Sequence, residues 1–129
     1  MVDLDGLRVG VLVCYDVEFP EAVRALALAG AQLVAVPTAL MEPSAWIAET
    51  LVPARAAENQ VFVAYCNRVG TERTLTYVGR SCVAGPAGEV VAAGTEEQLL
   101  VADVDPAAIE RARTRHDYLR ERRPELYAG

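Results

Sequence analysis

The apolar positions of this chain follow one pattern in its first half and another in its second. Early on, unbroken apolar runs alternate with helically spaced stretches. Val9-Gly10-Val11-Leu12-Val13 has no polar member, the pattern of a strand buried on both faces. It predicts a strand over 8–14. Pro20 and Glu21 open a helix over 20–29, with Val23, Leu26 and Ala27 at helical spacing and Gly30 in the stop position. A second strand over 32–36 is stopped by Pro37. Ser44 suits the N-cap of a helix over 45–59, which Pro53 kinks or divides.

From residue 61 the pattern shortens. Segments 61–67, 77–84, 89–93 and 99–104 read as strands, parted by Gly70, by Gly85-Pro86-Ala87-Gly88 and by 94–98. Short strands with such turns suggest an antiparallel meander. Asp105 and Pro106 then start a last helix running to about Tyr118. The predicted order is β-α-β-α-β-β-β-β-α, an α/β fold with a mixed sheet flanked by helices. Its first half reads as βαβ units, which place their helices over one sheet face. Strands that are apolar on both sides need cover on the other face too. One helical layer does not supply it, so a second sheet–helix layer, from another segment or another chain, is implied.

Composition narrows the class. The chain has 129 residues, 53% of them hydrophobic, which suits one domain with a real core and excludes disorder. A net charge of −6 and a pI of about 4.8 argue against nucleic-acid binding. No apolar run approaches membrane-spanning length and the acidic start lacks a signal-peptide core, so a cytoplasmic location is expected. The three cysteines are widely spaced and form no CxxC pair, so neither a disulfide framework nor a zinc site is predicted. All twelve basic residues are Arg.

Candidate chemistry centres on Cys14. It stands where the first strand gives way to the helix opened by Pro20, and thiolates are favoured at such turns. Cys66 and Cys82 lie within predicted strands and read as packing residues. Asp16, Glu18 and Glu21 surround the thiol. Glu21 reads as a helix-start carboxylate paired with Arg24, whereas Glu18 is open between that role and a place in a pocket. Thr38 and Ala39 follow a strand end, where ligand sites of α/β folds gather. Trp46 reads either as their companion or as helix packing. Asn67 and Arg68, at another strand end, are expected to order the loops. His116, the only histidine, lies in a polar helix and is not expected to form a Cys–His dyad.

Taken together, GVLVCYDVEFPEAVR (10–24), LVAVPTA (33–39), PARAAENQVFVAYCNRVG (53–70), VGRSCVAGPAGEVV (78–91) and RRPELY (122–127) resemble the nitrilase superfamily, the carbon–nitrogen hydrolases. The CYDVEFPE form is closer to amidases than to true nitrilases. The resemblance implies an α-β-β-α sandwich and catalysis by a Cys nucleophile, a Glu base and acid, and a Lys that helps bind the oxyanion. Cys14 then becomes the nucleophile and the backbone N–H of Tyr15 an oxyanion donor. Glu18, Thr38, Ala39 and Trp46 become substrate-binding candidates. No metal or cofactor is implied. The expected partners are a small amide or nitrile substrate and further copies of the chain in a homo-oligomer.

No Lys occurs in the sequence and no Glu precedes Cys14. Residues 1–129 therefore read as a single partial domain, the C-terminal half of such an enzyme and inactive alone. The N-terminal half or a complementing chain would supply Glu and Lys. The alternative is a non-catalytic assembly module, or a subunit of a split enzyme, derived from the same fold.

Overall fold

A computed structural model describes residues 1–127. Six strands form one mixed sheet in the order β1-β2-β3-β4-β7-β8: β1 (Val2–Leu4), β2 (Leu7–Val11), β3 (Leu33–Thr38), β4 (Phe62–Asn67), β7 (Cys82–Ala84) and β8 (Val90–Ala92). Strands β2, β3 and β4 are parallel, and the pairs β1–β2, β4–β7 and β7–β8 are antiparallel. Between β4 and β7 the chain throws out a hairpin, β5 (Val69–Glu72) and β6 (Leu75–Val78).

Helices α1 (Pro20–Leu28) and α2 (Val52–Asn59) cover one face of this sheet. Val23, Ala27, Val52 and Ala56 pack there against Val34, Val36, Val63, Tyr65, Cys82 and Ala84. Gly10 lies beneath α1, and a Cβ there would stand 2.8 Å from the Leu26 side chain. A last helix, α3 (Pro106–Arg115), begins with Asp105 Oδ1 accepting from the Ala107 N–H at 2.9 Å, the expected cap. The opposite face is thinly covered. The register aligns Val11, Ala35, Ala64, Val83 and Val91 in one row; its two ends are exposed and its middle is half-buried. Pro37 and Cys66 beside that row are exposed as well. The sheet is thus apolar on both sides, as the unbroken runs indicate, while its helices lie on one.

Several elements depart from the sequence pattern, each for a local reason. The first strand ends at Val11, because the chain turns at Cys14 instead of continuing extended. Strand β3 runs through Pro37 to Thr38; β2 pairs with β3 only as far as Ala35, so Pro37 stands where no ladder N–H is required. Segment 77–84 is divided, since Gly79 and Arg80 both take positive φ, 64° and 56°. Gly79 is obligatory in such a bend: a Cβ would meet the Gly94 carbonyl oxygen at 3.0 Å. Segment 99–104 is not a strand. It lies beside the open face, where Leu99 and Leu100 line a cavity with Ala64, Cys66 and Val83. The last helix stops at Arg115, because His116 is extended. Two strands went unforeseen, β1 and β5. Strand β1 is joined to β2 through Asp5-Gly6, both at positive φ, the tight-hairpin dipeptide.

Pro53 acts as predicted. The turn before it, Ile47–Leu51, is π-helical and hands over to α2 with the Val52 N–H bonded to the Ile47 carbonyl.

Candidate active site

Strands β2, β3 and β4 run parallel, so their carboxyl ends share one edge of the sheet. Three chain exits gather there, through Cys14, Thr38 and Asn67. This is where open α/β sheets bind ligands.

Cys14 opens a 3₁₀ turn, Cys14–Glu18, and has φ 50°, in the left-handed region that side chains disfavour. The turn is fixed by its own residues. Asp16 Oδ2 accepts from the Val13 N–H at 3.0 Å and the Val13 carbonyl accepts from the Asp16 N–H at 3.1 Å. Val17 plugs fully into the core. Asp16 is therefore a capping carboxylate. Among the described residues, the Tyr15 N–H makes no hydrogen bond, as expected in the first turn of a helix. The Tyr15 ring is exposed and meets Phe19 edge-on, centroids 5.0 Å apart.

Arg55 closes the far end of the turn. It comes from α2 and is buried, with its Nε donating to the Val17 carbonyl at 3.2 Å and its Nη2 to the Glu18 carbonyl at 2.8 Å. Glu58 balances its charge, at 2.9 Å. Sequence reasoning missed this clamp; a lone Arg inside the apolar stripe of α2 was the available signal. Arg55→Ala leaves both carbonyls and Glu58 unanswered. It is expected to destabilise the protein by about 2–3 kcal/mol, read from urea unfolding, with Arg55→Lys recovering only part because its single ammonium lacks the planar fork. A loss below about 0.5 kcal/mol, the range of ordinary surface changes, would contradict the clamp.

Thr38 ends β3 beside the thiol. Its Oγ1 lies 3.0 Å from Cys14 Sγ and 3.4 Å from the Tyr65 hydroxyl. Tyr65, on β4, is buried, and burial pushes its phenol up; the Thr38 contact opposes this, while the Cys14 and Glu18 charges add to it. Glu18 is half-buried, and burial pushes its carboxyl up as well. Ala39 and Trp46 stay exposed, and no hydrogen bond ties either to the Cys14–Thr38 pair. The packing alternative for Trp46 is not realised, since it is 56% exposed.

Asn67 orders the surrounding loops. Its Oδ1 accepts from the Leu40 and Arg68 N–H groups at 2.8 and 2.9 Å, and its Nδ2 donates to the Gly79 carbonyl at 2.6 Å. The β5–β6 hairpin leans on the same loop, with the Val78 N–H donating to the Leu40 carbonyl at 3.0 Å. Arg68 stacks over Tyr77, 4.6 Å from the ring centre.

Other candidates stand apart. Arg24 does not follow the expected pairing with Glu21: its Nη1 is buried without a hydrogen bond, and Glu58 is the acidic group acting on it. The carbonyl of His116 accepts from Gln60, which precedes β4 at the opposite end of the sheet from Cys14. Cys66 is exposed on the open face, not packed. Cys82 is buried, and burial pushes its thiol up to about 11 from an ordinary value near 9. The folded state thus holds this proton more tightly than the unfolded one. The resulting stability is full below about pH 9 and is lost as pH rises through about 11. The unfolding free energy read from urea titrations is expected to fall across that window by about 2–3 kcal/mol, and Cys82→Ala to flatten this part of the fall. Among the described residues no cluster of His, Cys, Asp and Glu is arranged to hold a metal, and no helix is long and apolar enough to cross a membrane.

Comparison with known proteins places this geometry. The carbon–nitrogen hydrolase family profile matches residues 1–114. A hydrolase in the pqqF 5′ region of Pseudomonas protegens is 48% identical over 128 residues, 98% of this chain and 45% of its own. An (R)-stereoselective amidase from Pseudomonas sp is 42% identical over 120 residues, 92% of this chain and 44% of its own. The amidase of Nesterenkonia sp. AN1 superposes with a TM-score of 0.84 at 46% identity, over 98% of this chain and 46% of that one. A solved mutant of that amidase carries the acetamide moiety of fluoroacetamide added covalently at its active-site cysteine. The chain spans under half the length of these relatives. Sequence, fold and family profile agree that the chain belongs to the carbon–nitrogen hydrolases, the hydrolases of the amidase and nitrilase type.

Proposed function

We propose that this chain carries the nucleophile of an amidase that acts on small non-peptide amides through a Cys14 thioester. The observation that carries the reading is the setting of Cys14, held at φ 50° on a capped turn at the carboxyl edge of the sheet with a hydroxyl 3.0 Å from its sulfur. A packing cysteine needs none of these features. The covalent adduct at the active-site cysteine of the Nesterenkonia amidase supports the same chemistry.

In this reading the Cys14 thiolate attacks the amide carbonyl carbon. The Tyr15 N–H donates to the oxygen as it gains charge, and such preorganised donors are often the largest electrostatic contribution to catalysis. The C–N bond then breaks, the nitrogen leaving as ammonia or an amine with a proton from the general acid, and a thioester remains. Water, deprotonated by the same group acting as base, attacks the thioester and releases the acid and the thiolate. Thr38, Ala39, Trp46 and Glu18 would line the entrance. The base and the second oxyanion donor, a Glu and a Lys by family resemblance, would come from outside these residues, which contain no Lys.

Fluoroacetamide offers a direct test. The intact protein is expected to gain one acetamide moiety on Cys14, located by peptide mass mapping. Labelling of the exposed Cys66 at an equal rate would refute the assignment.

A further inference from the structure

We propose that Thr38 is a positioning residue for the nucleophile: its hydroxyl donates to the Cys14 sulfur, and the Tyr65 hydroxyl, donating to Thr38, fixes that direction. The inference rests on the reading of Cys14 as nucleophile and changes the role expected for Thr38, from substrate contact to support of the thiolate.

The argument is one of proton accounting. Thr38 has a single hydroxyl proton to donate and two oxygen lone pairs to accept with. It cannot donate both to Cys14 Sγ at 3.0 Å and to Tyr65 at 3.4 Å. Tyr65 is 2% exposed, and among the described residues Thr38 is the only hydrogen-bond neighbour of its hydroxyl. A buried hydroxyl donor left unused is costly, so the Tyr65 proton goes to Thr38. That frees the Thr38 proton for sulfur, and a thiolate accepts such a bond more strongly than a thiol does. Hydroxyls aligned head to tail also polarise one another.

The framework holds the three groups in line. Parallel pairing sets Val36 opposite Tyr65 and Thr38 opposite Asn67, so Thr38 and Tyr65 lie on adjacent strands, two residue pairs apart in register and on the same face of the sheet. Cys14 meets them from the turn after β2, and its φ of 50° forms part of that turn. Other charged groups nearby are Glu18 and Asp16, on Cys14's own turn. Asp16 is committed to the Val13 N–H, and Glu18 is an acid that opposes, and so cannot replace, support of a thiolate.

Alkylation by 4-vinylpyridine separates this role from substrate binding, because the reagent carries no amide group and makes no demand on contacts that hold an amide substrate. The intact protein is compared with Thr38→Val, Thr38→Ser and Tyr65→Phe, with Cys66 as the exposed reference thiol and Cys82, buried in the core, as the reporter of folding. Thr38→Val is expected to slow Cys14 alkylation near neutral pH about tenfold or more. The deficit should close in alkaline solution, where every accessible thiol ionises. Thr38→Ser should retain the parent rate within about twofold, and Tyr65→Phe should show a smaller loss than Thr38→Val. If Thr38→Val labels Cys82 and so has unfolded, Tyr65→Phe, which adds no atom, decides. Unchanged Cys14 rates in folded variants whose parent labels Cys14 faster than Cys66 overturn this proposal alone. A parent that labels Cys14 no faster than Cys66 overturns the nucleophile reading, and this proposal with it.

Discussion

Cys14→Ala in the intact protein is expected to lower amide turnover by about 10⁴-fold or more, the scale on which loss of a covalent nucleophile acts. The fold should survive, because Cys14 is only half-buried and its turn is held by Asp16, Val17 and Arg55. Rate and stability therefore separate: initial rates with a small primary amide collapse while the urea midpoint stays near that of the parent. Cys66→Ala is the matched control, an exposed thiol on the open face, and should leave the rate unchanged. Turnover surviving in Cys14→Ala would move the chemistry to another residue.

The second large effect concerns the 129-residue chain taken alone. It contains no Lys, and no Glu precedes Cys14, so by family resemblance it lacks the general base and one oxyanion donor. A missing general base costs about 10²–10⁴ in rate. A missing oxyanion donor costs about 10²–10³. These losses overlap within one catalytic unit, and either is enough to bring turnover near background. Adding a polypeptide that supplies the absent Glu and Lys should restore it. The purified chain should also self-associate in light scattering, since Val11 and Val91 expose 53% and 46% of their surface on an apolar sheet face. Robust turnover by a monodisperse monomer of the chain would overturn both expectations.

Much of this arrangement was legible in the sequence, and the failures share a cause. Runs such as 9–13 and 61–65 announced buried strands because their partners, α1 and α2, lie in the same stretch of chain. The Asp105-Pro106 cap and the dividing effect of Pro53 were local chemistry and held. Segment 99–104 failed because a strand needs an edge to pair with, which no periodicity contains. Segment 77–84 failed because Gly79 and Arg80 turn the chain within an otherwise apolar run. The Asp5-Gly6 dipeptide is itself a tight-hairpin signal, readable without the fold. At the site, the CYDVEFPE motif marked Cys14, but Arg55 and Tyr65 reach it from α2 and β4. Their contributions depend on parallel register and on which side of a helix faces a turn.

The positive φ of Cys14 has an evolutionary side. Glycine would occupy that turn without the strain of about 1–2 kcal/mol that a side chain incurs there. On stability alone, Gly is therefore the favoured residue at position 14. On the proposed reading of Cys14 as nucleophile, its reactivity is what keeps a cysteine at this corner, against the preference of its own backbone. When selection for that reactivity lapses, as in a copy retained only for assembly, position 14 should be among the first in the turn to change.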